Sequence, residues 1–218
     1  MTDMECKKEA IFISGIDTDA GKTYATAFYA QKLINSGISV ITQKFIQTGC
    51  VGSSEDIESH RRLLGTGMLP EDESGLTAPV IFSYPASAQL AARLDGQEID
   101  LKAIENATNE LLNRYDCVLI EGAGGLMVPI TDTYFAIDYV AEQKLPLVLV
   151  TNGRLGSINH TILSLEAIKA REIDLKAVIY NTFFDKDKVI AEDTKAFIGR
   201  YLKRNFQNAQ YLEMPSFV

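Results

Sequence analysis

Apolar runs of about five residues alternate with longer stretches of helical periodicity along the whole chain. Residues 10–14, 38–42, 116–120, 146–151 and 175–180 predict strands. Residues 22–36, 56–64, 86–94, 101–113, 135–142, 158–170 and 188–203 predict helices. The runs at 116–120 and 146–151 are continuously apolar, as strands covered on both faces of a parallel sheet are. The expected fold class is therefore α/β: a doubly wound, mostly parallel sheet with helices on both faces. Crossovers should be right-handed and ligands should sit at the carboxyl ends of the strands. No linker or repeat divides the chain, so residues 1–218 read as one domain. Residues 65–84, with glycines, prolines and acids, are expected to be a loose surface excursion. Residues 205–218 show little periodicity, include Pro215, and are expected to carry no regular structure.

Composition narrows the partners. The 218 residues include 21 Lys and Arg against 29 Asp and Glu, a net charge of −8 with no basic block. Nucleic acid and anionic membrane are poor partners for such a surface. The three cysteines, Cys6, Cys50 and Cys117, have no CxxC spacing, and there are only two histidines. That argues against a disulfide framework or a zinc site and fits a reducing compartment. The first nine residues are polar, unlike a secretory signal. No apolar run approaches the ~18 residues of a membrane span. A cytoplasmic location is expected.

The stretch most loaded with chemistry is residues 15–23, Gly-Ile-Asp-Thr-Asp-Ala-Gly-Lys-Thr. Strand, glycine-bounded loop ending in Gly-Lys-Thr, then helix is the reading of a phosphate-binding loop. Backbone N–H groups from Asp17, Thr18, Asp19, Ala20 and Gly21 and the helix start would face phosphate oxygens. Lys22 would reach the outer phosphates, and the Thr23 hydroxyl would sit on magnesium, a cation that prefers hard oxygens. Five residues separate the two glycines, one more than the usual spacing, so the loop is a variant.

Other stretches gain weight from this loop. Lys44, leaving the second strand, either is solvated or adds positive charge over a reacting group. Glu121-Gly122-Ala123-Gly124 follows a buried strand, where an acid resembles the second magnesium motif of nucleotide-binding folds and glycines admit a ligand. Glu55 and Asp56 open a helix; either is an ordinary first-turn acid or a further metal oxygen. Gly156, Ser157, Ile158 and Asn159 join a strand to a helix, so they either hold a carboxylate or serve as a cap built on Ser157. Asn181 either reads an adenine edge or is a turn residue.

In order along the chain these motifs resemble dethiobiotin synthetases. The five-residue loop spacing, Lys44 to Gly49, Glu-Gly-Ala-Gly-Gly at 121–125 and Leu-Gly-Ser-Ile-Asn-His at 155–160 all match, with Phe45 in place of a usual proline. The resemblance implies an ATP-dependent cyclo-ligase of the P-loop NTPase type. It would carboxylate 7,8-diaminononanoate with CO2 through a carbamate and its mixed anhydride with phosphate, closing a ureido ring. It further implies Lys22 and Lys44 as charge-stabilising catalytic residues, and Thr23, Asp56 and Glu121 as magnesium ligands. Thr18 and Thr48 would contact the diamine or its carbamate, and Asn181 would lie near the base. A homodimer is implied, with the 156–159 segment holding the substrate carboxylate of the partner subunit's site. One departure concerns the carboxyl end. The family's usual Leu-Gly-x-Ile-Pro segment and further helix are represented only by Tyr-Leu-Glu-Met-Pro at 211–215, which predicts relaxed base preference. The competing reading is a nucleotide-switch ATPase of the kind that positions plasmids. Those carry an extra lysine five residues before Lys22, where this chain has Asp17.

Overall fold

The computed structural model describes residues 8–216; Cys6 and the last two residues lie outside that range. Its core is a six-stranded sheet, with strands β1 (Glu9–Gly15), β2 (Val40–Lys44), β5 (Cys117–Gly125), β6 (Leu147–Asn152), β7 (Leu175–Asn181) and β8 (Gln210–Met214). The order is β2-β5-β1-β6-β7-β8 and every pairing is parallel. Chain direction across the sheet reverses at β1, so the loop after β1 opens into the crevice where such folds bind ligands. Side chains of alternate parity form two separate apolar layers. Phe12, Val118, Ile120, Leu149 and Val178 meet helices α4 (Ala88–Leu94), α5 (Leu101–Arg114), α6 (Ala136–Glu142), α7 (Ser157–Ala170) and α8 (Lys188–Asn205). Ile11, Ile13, Leu119, Val148 and Ile179 meet Ala25, Tyr29 and Ala30 of α1 (Lys22–Asn35), with Leu64 of α2 (Glu55–Leu64) beside them. The sheet is thus covered on both faces, as continuous apolar strands require.

Two expectations fail. Residues 65–84 are no loose excursion. They form α3 (Pro70–Glu73) and β4 (Ile81–Phe82), which pairs with the short β3 (Gln47–Thr48). The segment lies along β2, the edge of the main sheet, and the Lys44 N–H donates to Thr77 O at 2.7 Å. Covering an open strand edge satisfies its backbone groups. Residues 210–214 are not irregular but form β8, because β7 offers them a complete parallel partner. Strands and helices elsewhere begin and end within about two residues of expectation, except β5, which runs on through Glu121 to Gly125. Cys50 and Cys117 are buried thiols. Among the described residues no helix is long and apolar enough to cross a membrane.

A buried ion pair ties α2 to the covering segment. The Arg61 guanidinium grips Asp72 through Nε at 2.9 Å and Nη2 at 2.8 Å, and Nη1 donates to Thr42 Oγ1. Burial opposes ionisation of Asp72. Hydrogen bonds from Arg61, the Leu69 N–H and Thr77 outweigh it and hold the carboxyl below its usual range. The pair therefore stabilises the fold above about pH 4, the ordinary carboxylate value, and that contribution is lost as the pH falls toward the depressed native value. Asp72→Asn is expected to lower stability at pH 7 by about 3 kcal/mol, because it strands the buried Arg61 charge. The loss should shrink toward pH 3. Urea midpoints at the two pH values check this, and an unchanged midpoint at pH 7 would show the bridge to be idle.

Candidate active site

Strand parity assembles the centre of the site. Thr42 pairs with Leu119 and Lys44 with Glu121 across β2 and β5, while Ile13 of β1 pairs with Glu121. Glu121 therefore shares the face of Leu119 and Ile13, the face that α1 covers. Lys44, two residues on from Thr42, points the same way. Both charged side chains are carried to the start of α1, where Thr23 is the second helical residue. Lys44 Nζ lies 2.5 Å from Asp56 Oδ2, 2.9 Å from Glu121 Oε1 and 3.3 Å from Gly122 O, using all three hydrogens. Thr23 Oγ1 lies 2.9 Å from Asp56 Oδ1 and 3.2 Å from Glu121 Oε1.

Burial and charge compete here, and charge wins. Lys44 is 5% exposed and Glu121 1%. Burial disfavours the Lys44 ammonium, but Glu121 and Asp56 raise its pKa above the usual value. Burial likewise opposes ionisation of Glu121. Lys44, and after it His60, pull that carboxyl far below the usual range. Lys22 makes no ion pair among the described residues, and Glu121, Asp56 and Asp17 act on it only more weakly. Burial, then the neighbouring Lys44, push it down to about 8. Its Nζ instead donates to the loop's own carbonyls, Asp17 O at 3.1 Å and Thr18 O at 2.9 Å.

The loop itself is shaped by two glycines. Gly21 precedes α1 with φ of 90°, in the left-handed region, and a Cβ there would fall 2.3 Å from Asn181 Nδ2. Asn181 Nδ2 donates to Ala20 O, and Asn181 Oδ1 accepts from the Phe183 N–H, so β7 pins the loop from the side. At Gly15 a Cβ would crowd Asp17 O at 2.9 Å. Arg154 completes the clasp. Its Nη2 donates to Asp19 O, and its guanidinium lies 4.3 Å from the centre of the Phe184 ring.

Two hollows flank this loop. A cleft of 430 Å³ is lined by Thr18, Asp19, Lys22, Thr23, Lys44, Thr48, Asp56, Glu121, Ala123 and Gly124. A smaller hollow of 150 Å³ lies beyond Gly21, between Tyr24, Asn181, Phe183, Phe184 and residues 214–216. A family model described as an AAA domain matches residues 9–207. A Pasteurella multocida (strain Pm70) protein named ATP-dependent dethiobiotin synthetase BioD 2 is 47% identical over 203 residues, covering 93% of this chain and 95% of its own. The chain belongs to the dethiobiotin synthetase family.

Further dethiobiotin synthetases agree. That of Haemophilus ducreyi (strain 35000HP) is 50% identical over 94% of this chain and 97% of its own. That of Chlorobaculum tepidum is 48% identical over 91% and 83%. Among solved structures, a ParA family ATPase from Chlorobium tepidum TLS superposes with a TM-score of 0.54 at 16% identity, covering 96% of this chain and 85% of its own. A putative plasmid partition protein from Borrelia burgdorferi B31 does so with 0.54 at 13%, covering 95% and 87%. At such identity the likeness is one of fold: this chain shares a parallel sheet flanked by helices with these proteins.

Most of the residues singled out for a dethiobiotin synthetase converge on the larger cleft. Asp56 faces it while Glu55 is exposed to solvent, in keeping with the resemblance, which favours Asp56 where local chemistry leaves the two acids equivalent. Asp17, Ala20 and Gly122 do not line the cleft, and Asp17 is exposed to solvent. Asp17 Oδ1 accepts from the Thr18 N–H, Ala20 is buried, and a Cβ on Gly122 would strike the Phe12 ring at 2.9 Å. The 156–159 segment lies elsewhere, at the start of α7. Ser157 neither caps that helix nor faces outward; Gly156 is the N-cap, and the buried Ser157 hydroxyl donates to Asn152 Oδ1 at 2.6 Å. Asn181 lines the smaller hollow with one donor and one acceptor already used. Sequence reasoning missed His60 and Arg154. For His60 a signal existed, since it is four residues from Asp56 and hence on the same helical face.

Proposed function

We propose that this chain, acting as a single domain, uses ATP to carboxylate 7,8-diaminononanoate with CO2 and close the ureido ring of dethiobiotin. The observation that carries the reading is the meeting of Lys44, Asp56, Glu121 and Thr23 in one cleft beside the phosphate loop. The carboxylates of Asp56 and Glu121 converge there on both the Lys44 ammonium and the Thr23 hydroxyl. Among the described residues no set of three or more His, Cys, Asp and Glu side chains is placed to hold a metal. Two carboxylates and a hydroxyl make the incomplete shell that magnesium fills out with phosphate oxygens and water. Thr23, Asp56 and Glu121 would hold that ion, which supplies charge neutralisation on the triphosphate.

The residues then divide the chemistry. Thr18 and Thr48 hold the diamine, one of whose amines takes up CO2 as a carbamate. Loop N–H groups and Lys22 orient the triphosphate, and Lys44 neutralises charge as the outer phosphoryl group passes to a carbamate oxygen. ADP is left, with a mixed anhydride on the substrate. The second amine attacks the activated carbonyl, phosphate departs with the bonding pair, and the ring closes. The surface around 156–159 supports a homodimer in which Gly156, Ile158 and Asn159 serve the partner's site, while the buried Ser157 hydroxyl is held by Asn152 within its own subunit. Leu155 is 91% exposed, and Leu163, two turns along α7, is exposed too. The smaller hollow would take the base. Asn181, which lines it, is half-committed, which supports partial replacement of ATP by CTP, GTP and UTP.

One assay addresses both points. Phosphate release is measured with each nucleoside triphosphate, with and without diamine plus bicarbonate. Release is expected to depend on the diamine, and release that ignores it would sink the ligase reading. All four triphosphates are expected to support turnover; activity confined to ATP would remove the relaxed base preference alone.

A further inference from the structure

His60 lies on α2, one turn beyond Asp56, and is fully buried. Its Nε2 is 2.7 Å from Glu121 Oε2. An ionised carboxylate offers no hydrogen, so Nε2 is the donor. The two Glu121 oxygens are thereby separated in role: Oε1 faces Lys44 and Thr23, and Oε2 receives His60. The other ring nitrogen, Nδ1, is buried with no hydrogen-bond partner among the described residues. An unpaired buried polar atom is costly, and an apolar side chain would fill the same space without that cost. Packing therefore does not account for a histidine here; the single bond to Glu121 does.

We propose that His60 is a positioning residue that locks the Glu121 carboxylate so that Oε1 points at Thr23 and Lys44, both of which also hold Asp56. The inference rests on the cation site of the proposed function. The terminal torsion of a glutamate is soft and two-fold, so an unrestrained carboxylate swings freely. Held at Oε2, it presents Oε1 at a constant angle. Partners of this outer kind change metal affinity about 10- to 100-fold when removed.

The test uses Mn2+ as the probe, with free ion read by electron paramagnetic resonance in the presence of a non-hydrolysable ATP analogue. His60→Leu keeps the bulk and removes the bond; His60→Gln keeps a side-chain N–H at a similar reach. Mn2+ binding is expected to weaken at least about tenfold in His60→Leu and to recover most of that loss in His60→Gln. With saturating Mg2+, kcat should suffer less than the Mg2+ concentration giving half-maximal rate. Parental Mn2+ affinity in His60→Leu, or a glutamine variant as weak as the leucine one, overturns the proposal. If His60→Leu fails to fold, His60→Asn replaces it, because the shorter amide leaves Oε2 unpaired. Equal affinities of the asparagine and glutamine variants would then overturn the proposal. Absence of Mn2+ binding by the unaltered protein would sink the cation site itself, and this inference with it.

Discussion

Lys44→Ala is expected to lower turnover by about 10³-fold while changing nucleotide affinity only a few-fold. The Lys44 ammonium lines the cleft beside the phosphate loop. It is 5% exposed and touches Asp56, Glu121 and the Gly122 carbonyl, whereas Lys22 is held by the loop carbonyls of Asp17 and Thr18. Nucleotide binding draws on the loop N–H groups and Lys22, none of which the substitution removes. Charge developing on the transferred phosphoryl group would lose one of the two lysine cations that line the cleft. A second consequence separates this from simple damage. Without Lys44, buried Glu121 keeps its charge with only His60 and Thr23 for company. The variant should be destabilised without divalent cation by about 3–5 kcal/mol, the cost of an uncompensated buried charge, and Mg2+ should restore part of that loss. Dethiobiotin formation, calorimetric titration with a non-hydrolysable ATP analogue and thermal unfolding with and without Mg2+ check the three parts. Equal losses in turnover and nucleotide affinity would mark Lys44 as structural.

Gly21→Ala acts on the other ligand. The backbone at Gly21 has φ of 90°, and a Cβ would lie 2.3 Å from the Asn181 amide that pins the loop through Ala20 O. A side chain cannot coexist with that contact. The loop would relax away from β7, and nucleotide binding would have to force it back against left-handed strain of about 1–3 kcal/mol. Nucleotide affinity is expected to fall about ten- to a hundredfold, each tenfold being about 1.4 kcal/mol. The loop is exposed at Asp17, Thr18 and Asp19, so overall stability should change much less. Calorimetric titration and thermal unfolding together decide it. Full nucleotide affinity in a folded Gly21→Ala protein would mean that the loop closes on phosphate without its tie to Asn181.

Much of the architecture was legible because it depends on local pattern. Continuous apolar runs separated by amphipathic stretches dictate a buried parallel sheet, and glycine, lysine and threonine at the turn after the first strand dictate where phosphate goes. These features lie within spans shorter than one strand–helix unit, so nearest neighbours along the chain determine them. The family, too, was readable from four short motifs in order.

Other features were decided at a distance. Nothing adjacent to Asp56 and Glu55 distinguishes them; the choice is made by Lys44 and Thr23, more than ten residues before them in the chain. Strand β8 and the covering segment at 65–84 have weak patterns of their own. They become regular because β7 and the edge of β2 present unpaired backbone groups that must be satisfied. Ser157 looked like a cap and turned inward to Asn152. His60, to which the sequence assigned no role, becomes a partner of Glu121 only once the fold brings α2 to the site. By itself, then, the sequence determined the class of fold, the phosphate loop and the family, because each is written in short-range periodicity and spacing. Only the tertiary structure decided how Lys44 and Thr23 meet Asp56 and Glu121, which side chain orients them and what closes the sheet's edges, because those are meetings of side chains and unpaired backbone groups far apart in the chain.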